Sequence, residues 1–109
     1  MEILRGDVVR AVASYDEQHI EKKERPYLIV SNNAINKYAN VLVGIPFTTA
    51  QRKKKLPCHY RFYFNGRINT ALCEQPTLIS RENIKGLIET IDDKHLKKIE
   101  TILKKQLGV

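Results

Sequence analysis

The sequence predicts a small antiparallel β-barrel of the α+β class, mainly β, with a helix at its C-terminal end. About five short apolar runs with strand character fill the first two-thirds, an Asn-Gly dipeptide marks a hairpin, and the last third has helical spacing. With 109 residues, of which 42% are hydrophobic, the chain can bury one core. We therefore expect a single domain over residues 1–109.

The first three predicted strands are β-branched and apolar runs. The first covers residues 7–13, and the second covers 27–30, directly after Pro26. The third covers residues 41–47 and contains Pro46. Because proline has no N–H to donate, we expect Pro46 at a sheet edge or a bulge.

The fourth and fifth predicted strands form a hairpin. Residues 58–64 alternate, so one face carries Cys58, Tyr60, Phe62 and Phe64, and the other carries His59, Arg61 and Tyr63. The first of these faces is expected to be buried. Asn65-Gly66 is a strong hairpin-turn signal, and the chain is expected to return as a strand over residues 70–75.

Two helices are predicted in the last third. Ser80 can cap a short helix that begins at Arg81. A long amphipathic helix follows Asp92-Asp93 and ends at Gly108. Its apolar stripe consists of Leu96, Ile99, Ile102, Leu103 and Leu107.

The charge balance favours a polyanionic partner. Nineteen Lys and Arg against twelve Asp and Glu give a formal net charge of +7, which suits nucleic acid, an acidic protein or an anionic membrane surface. Residues 51–67 contain six of the cations, no acid and four aromatics, a composition that can bind phosphates and stack on bases. The alternative is a solvated loop beside core aromatics.

The cysteines and histidines predict no metal site. Cys58 and Cys73 lie in apolar runs without C-x-x-C spacing, and the three histidines are far apart in the sequence. We interpret both thiols as core residues. No apolar run could span a membrane, and the charged N-terminus does not resemble a signal peptide, so we expect a cytoplasmic protein without a membrane partner.

Four short motifs occur in a characteristic order. They are Arg5-Gly6-Asp7-Val8, Arg25-Pro26, Ile45-Pro46-Phe47-Thr48-Thr49 and Cys73-Glu74-Gln75-Pro76. Together the motifs resemble the MazF/PemK-like toxins of bacterial type II toxin–antitoxin modules. The resemblance implies an SH3-like barrel, usually a homodimer, without a cofactor. It further implies a ribosome-independent endoribonuclease that cuts single-stranded mRNA at short sequences and is restrained by an acidic cognate antitoxin.

The resemblance also implies catalytic residues, in two versions. In some members an arginine before proline acts with a threonine after the third strand; here these are Arg25 and Thr49, with Thr48 as the neighbouring alternative. In other members a first-loop histidine and an acid before Gln-Pro form an acid/base pair, and His19 and Glu74 match these. The structural alternatives are an ion pair for Arg25 with Glu24 or Glu74, a strand-end hydroxyl for Thr49, and an ordinary loop position for His19.

The expected RNA contacts lie in the first loop, after the third strand and after Glu74. They are Lys22, Lys23, Thr48, Gln51, Arg52, Lys53, Gln75 and Thr77. Leu72 and Thr77 occupy positions where the family usually has arginine, and the first loop lacks the usual glycines. For this reason we rank Arg25 and Thr49 above His19 and Glu74.

Two other functions fit parts of the sequence. A gyrase poison of the CcdB type shares this fold family, but it uses C-terminal residues that include a tryptophan, and this chain has none. A basic RNA-binding module without catalysis would explain the missing arginines.

Overall fold

The computed structural model describes residues 2–13, 23–50 and 56–109, and β-strands dominate these ranges. The strands are β1 (Asp7–Ala11), β2 (Arg25–Ile29), β3 (Val41–Thr48), β4 (His59–Phe64), β5 (Arg67–Leu72), β6 (Thr77–Ser80) and β7 (Ile84–Thr90). The helices are α1 (Asn33–Tyr38) and α2 (Asp93–Leu107), and a 3-10 turn covers Arg81–Asn83.

The strand β3 joins all parts of the antiparallel sheet. The sheet order is β4-β5-β3-β2-β1-β7, with β6 also beside β3. One edge of β3 pairs with β2 through residues 44–46, and the other pairs with β6 through 41–44 and with β5 through 47–48. Within the described ranges β4 and β7 end the sheet without pairing with each other. The predicted fold class, an antiparallel and mainly β structure with a C-terminal helix, is therefore confirmed, although the sheet of the described residues does not close into a complete barrel.

The proline in β3 lies inside the sheet and not at its edge. Pro46 is buried and stands opposite Tyr27 of β2. On the other side of β3, the pairing with β6 ends at Gly44 and the pairing with β5 begins at Phe47. Pro46 therefore lies in the gap between the β3–β6 and β3–β5 pairings, where no neighbouring strand needs its N–H. This gap explains why a central strand tolerates the proline.

The β4–β5 hairpin confirms the turn prediction. Asn65 and Gly66 have φ values of 52° and 83°, the left-handed conformation that a two-residue turn of this kind requires. Phe64 stands opposite Arg67, so β5 covers residues 67–72 and not 70–75. The chain leaves the strand at Cys73 and Glu74, which form a turn.

Two hydrophobic clusters cover the two faces of the sheet. Alternation places Val8 in one cluster and Val9 in the other. The first cluster includes Leu28, Ile45, Phe47 and Phe62, and Leu96, Ile99, Ile102 and Leu103 of α2 pack there. The second consists of Ile3, Val9, Ala11, Tyr27, Ile29, Leu42 and Ile79.

The long helix α2 confirms the predicted amphipathic helix, including its stop at Gly108, which adopts φ 76°. Ile99 is fully buried, and burial of such a side chain contributes about 1.5–3 kcal/mol. The last member of the predicted stripe, Leu107, is instead 70% exposed because the helix extends past the core. No helix in the described ranges is both long and apolar enough to cross a membrane.

The sequence missed three elements. Helix α1 has six residues, and the Asn32 side chain caps it by accepting a hydrogen bond from the Ile35 N–H at 2.9 Å. Strand β6 has four residues, and the half-exposed β7 shows no continuous apolar run. The short helix predicted at Arg81 is a single 3-10 turn without a side-chain cap from Ser80.

A glycine in β3 allows the close approach of two neighbouring strands. A Cβ added at Gly44 would lie 2.5 Å from Ile79 Cδ1 and 3.0 Å from Tyr27 Cβ. Because these side chains are buried, we expect Gly44→Ala to lower the free energy of unfolding by about 1–3 kcal/mol in urea denaturation. Gly86→Ala is the control, since the nearest atoms to its Cβ belong to the end of the long Arg10 side chain, at 3.3 Å or more, and this side chain can shift. Equal stability of the two variants would contradict this packing argument.

Candidate active site and a neighbouring side-chain cluster

Arg25 is the first residue of β2 and is exposed. The two acids that could neutralise it have other partners. Glu24 forms an ion pair with Arg10, with an Nε–Oε2 distance of 2.9 Å, and Glu74 contacts His59. Arg25 has no ion pair with any other residue in the described ranges. Its guanidinium is therefore available to an anionic ligand.

The threonines at the end of β3 lie at the same end of the β2–β3 strand pair as Arg25. Tyr27 stands opposite Pro46, and continuing this register by two residues places Arg25 opposite Thr48. The Thr48 hydroxyl accepts a hydrogen bond from the Ala50 N–H at 3.1 Å. Thr49 is exposed and carries no hydrogen bond to another described residue. Of the two hydroxyls, that of Thr49 is the less committed to the fold.

A depression of about 260 Å³ opens beside Thr49. Pro26, the neighbour of Arg25, forms part of its wall, and the β4–β5 hairpin supplies most of the remainder, including Arg67 and Asn69. Asn69 is buried, and its amide donates to the carbonyls of Phe64 and Arg67 at 3.0 and 3.1 Å. These bonds fix the hairpin end that presents the exposed Arg67 to the depression.

A second group of polar side chains, the Cys58 cluster, consists of Cys58, His59 and Glu74. Its three potential ligand atoms lie within 4.8 Å of one another. His59 Nε2 and Glu74 Oε2 are 2.5 Å apart, and the His59 side chain is only 3% exposed. His59 was predicted on a solvent-facing strand face, but the turn that carries Glu74 covers it.

The two cysteines stand side by side in the hairpin. The Cys73 N–H donates to the Cys58 carbonyl at 3.2 Å. Burial raises the pKa of Cys73 to about 12, with further contributions from Cys58 and Glu74. The pKa of Cys58 is also raised, first by burial and then by Glu74. Cys73 is the core residue predicted from the sequence, whereas Cys58 is only half-buried.

The two sites are separate. Thr48 stands opposite Thr70 of β5, whereas Glu74 follows the far end of that strand. At about 3.3 Å per residue, this separates Thr49 from Glu74 by on the order of 10 Å or more along the sheet.

A match to a protein-family model shows the family to which this chain belongs. The model for "PemK-like, MazF-like toxin of type II toxin-antitoxin system" matches residues 4–107, nearly the whole chain. The chain belongs to this toxin family.

Individual relatives agree with the family assignment. An Endoribonuclease MazF of Staphylococcus saprophyticus is 26% identical, with 96% of this chain and 91% of that protein covered. Among solved structures, MazF from Deinococcus radiodurans has a TM-score of 0.81 at 18% identity, covering 100% and 99% of the two chains. A mycobacterial endoribonuclease in complex with its cognate antitoxin has a TM-score of 0.78 at 23% identity, covering 99% and 95%.

The catalytic and RNA-binding residues proposed from the sequence fall into three groups by their position in the structure. Arg25, Thr48 and Thr49 lie at one end of the β2–β3 strand pair, and the exposed Lys23 lies two residues before Arg25. Glu74 and Gln75 lie at the other end of β5, and the Thr77 hydroxyl there donates to the Gln75 carbonyl at 2.8 Å. The others lie outside the described residues: His19, Lys22, Gln51, Arg52 and Lys53.

Two residues that line the depression, Arg67 and Asn69, were not among the site residues named from the sequence. The signal for them was present, because the Asn65-Gly66 turn fixes the hairpin and places both residues directly after it. His59 was also missed, since its contact is with an acid that lies fifteen residues later in the sequence.

Thiol labelling tests the environment of the two cysteines. At about pH 8 a thiol with a pKa of about 12 is almost entirely protonated, with about one thiolate in ten thousand. A brief iodoacetamide pulse on the folded protein should therefore modify Cys58 well before Cys73, as measured by peptide mass spectrometry. Equal modification of both residues would contradict the buried position of Cys73.

Proposed function

We propose that this chain is the toxin of a type II toxin–antitoxin module and cleaves single-stranded RNA without a metal ion. The observation that carries the proposal is the exposed Arg25, which has no ion-pair partner among the described residues, beside Thr49 and a depression that presents a second cation, Arg67. The relative named Endoribonuclease MazF supports the same activity.

The proposed chemistry begins with the ribose 2′-hydroxyl of the substrate. Its oxygen bonds to the adjacent phosphorus as its proton passes to a base, and the bond from phosphorus to the 5′-oxygen breaks. The leaving 5′-oxygen takes up a proton, so the products are a cyclic phosphate and a 5′-hydroxyl. The pentavalent intermediate has more negative charge on its oxygens than the substrate, so a fixed cation stabilises the transition state selectively.

Arg25 and Thr49 are suited to two of these steps. The planar guanidinium of Arg25 can donate two parallel hydrogen bonds to the phosphoryl oxygens. The hydroxyl of Thr49 can donate to a phosphoryl oxygen or to the leaving oxygen. His19 and Glu74 are the alternative acid/base pair; Glu74 is already hydrogen-bonded to His59, which makes it the weaker candidate.

The proposed cleavage chemistry does not require Mg²⁺. A magnesium site would be expected to offer several oxygen ligands, mainly from carboxylates and water. In the described ranges, the potential metal-binding group of three side chains contains a single carboxylate, together with a thiol and an imidazole. It does not resemble a magnesium site.

The proposed partners follow from charge and from the relatives. A net charge of +7 suits both RNA and an acidic antitoxin, and related toxins have been solved with their antitoxins. We further propose a homodimer that acts in the cytoplasm, where mRNA is present.

The decisive experiment incubates the purified chain with a long single-stranded RNA in EDTA. Fragments that end in cyclic phosphates are the expected result, and an Arg25→Ala preparation purified in parallel controls for contaminating ribonuclease. A gel shift without cleavage would replace the proposal with an RNA-binding module. Gyrase-dependent DNA breaks, measured in a separate reaction, would replace it with a gyrase poison.

A further inference from the structure

The Cys58 cluster combines three different metal-binding groups. Thiolate, imidazole and carboxylate are all established ligands of zinc, and each residue here offers one donor atom. The proposed RNA-cleavage chemistry uses neither Cys58 nor His59. The cluster is therefore a feature of the molecule that the proposed function leaves unexplained.

The backbone holds the three residues in place. Cys58 and His59 are consecutive, and the Cys73 N–H donates to the Cys58 carbonyl across the hairpin. Glu74 lies in a tight turn closed by a hydrogen bond of 3.0 Å from the Gln75 N–H to the Leu72 carbonyl. From α2, the Gln106 side-chain amide donates to the Cys73 carbonyl at 2.5 Å. The donor atoms are thus largely positioned by the fold.

The distances are close to those of a tetrahedral zinc site. Zinc bonds of about 2.0–2.1 Å to nitrogen, 2.0–2.2 Å to oxygen and 2.3 Å to sulfur place such donors about 3.3–3.6 Å apart. The present separations begin at 2.5 Å, for His59 and Glu74, and do not exceed 4.8 Å. Side-chain shifts of about 1 Å would convert the existing contacts into a coordination shell.

We propose that Cys58, His59 and Glu74 bind one Zn²⁺ ion, with water as the fourth ligand. The thiol and imidazole favour zinc over Mg²⁺ or Ca²⁺, which prefer oxygen ligands. Zinc replaces the proton that His59 Nε2 and Glu74 share. That proton moves to His59 Nδ1 if the ring is neutral, or to solvent if the ring is protonated, and the Cys58 thiol proton passes to solvent. Access to the site is open because the Glu74 side chain is 30% exposed.

The zinc site does not rest on Arg25 and Thr49, the residues ranked first for cleavage, but it shares Glu74 with the alternative acid/base pair. Zinc is not assigned a role in cleavage. Zinc binding would, however, engage the Glu74 carboxylate and make it unavailable as a proton acceptor.

The test measures metal binding to the untagged, full chain, kept reduced with a phosphine. Zn²⁺ is titrated in competition with a chromophoric chelator, and Co²⁺ is added as a spectroscopic probe. We expect one ion per chain, a thiolate-to-cobalt charge-transfer band, and slower alkylation of Cys58 in the presence of Zn²⁺.

Two conservative variants and two matched controls identify the ligands. Cys58→Ser and Glu74→Gln should each weaken zinc binding by at least about tenfold, and the cobalt charge-transfer band should disappear in Cys58→Ser. Cys73→Ala and His95→Gln should bind like the wild type, because neither residue belongs to the cluster. The melting temperature of each variant without metal shows whether it is folded.

The proposal is overturned if folded wild-type protein binds no Zn²⁺ at micromolar concentrations. It is also overturned if Cys58→Ser and Glu74→Gln bind Zn²⁺ as tightly as the wild type. A third contrary result would be that Cys73→Ala and His95→Gln lose as much zinc affinity as the two ligand variants. RNA cleavage in EDTA is assayed on the same preparations, so a failure of the ribonuclease proposal is recorded separately.

Discussion

An Arg25→Ala variant is expected to cleave single-stranded RNA about 100- to 1,000-fold more slowly than the wild type. This corresponds to about 3–4 kcal/mol of lost transition-state stabilisation, the effect of removing one preorganised donor from a developing anion. Thermal stability should change little, because Arg25 is exposed and forms no ion pair with other described residues. Single-turnover cleavage and the melting temperature are to be measured on the same samples.

Two further variants sharpen this test. Arg25→Lys should restore little activity, since an ammonium group lacks the planar pair of donors. Lys85→Ala is the control: it removes an exposed cation of β7 that forms no ion pair with other described residues, and it should lower the rate less than tenfold. Near-normal cleavage by Arg25→Ala would refute the catalytic role, and a large fall in its melting temperature would favour a structural one.

Replacement of Thr49 by alanine should lower the single-turnover rate of RNA cleavage by about 100-fold. Thr49→Ser should retain most of the wild-type rate, because it keeps the hydroxyl. The reason for the slower alanine variant is the loss of a hydroxyl that can donate a proton or a hydrogen bond at the scissile phosphate, a contribution of about 10²–10⁴ in general acid catalysis. RNA binding, measured separately at high salt and at low salt, should change much less than the rate.

Thr48→Ala is the control for this position. Its hydroxyl accepts a hydrogen bond from Ala50, so its loss should affect local stability more than the rate. If Thr48→Ala abolishes cleavage and Thr49→Ala does not, the roles of the two threonines are exchanged. That result would agree with the register that places Thr48 opposite Arg25.

The sequence predicted those elements whose local signals are strong. Asn65-Gly66 supports left-handed backbone at both turn positions, and the apolar spacing of α2 persists over its fifteen residues. Helix α1 and strand β6 are too short to show a period. In β7, an edge strand with the half-exposed Leu87, the burial that would mark a strand is incomplete.

Part of the Cys58 cluster could also have been predicted. A two-residue turn at Asn65-Gly66 fixes the pairing of every residue in the hairpin, and it places Cys58 opposite Cys73, next to Glu74. The contact between His59 and Glu74 could not be predicted, because it depends on the tight turn that follows β5. The proximity of Arg25 to Thr48 and Thr49 likewise depends on the register of β2 with β3, two strands separated by α1.

The position of β3 between three partner strands has a consequence for local unfolding. One edge of β3 pairs with β2 and the other pairs with β6 and β5, so neither half of the sheet can separate without disrupting this strand. Amide protons of residues 42–47 that lie in these ladders should therefore exchange with solvent only through global opening, and those of the edge strand β7 should exchange sooner. Thr48 is the last residue of β3 and Thr49 follows it, so both should stay ordered while the edge strands fluctuate.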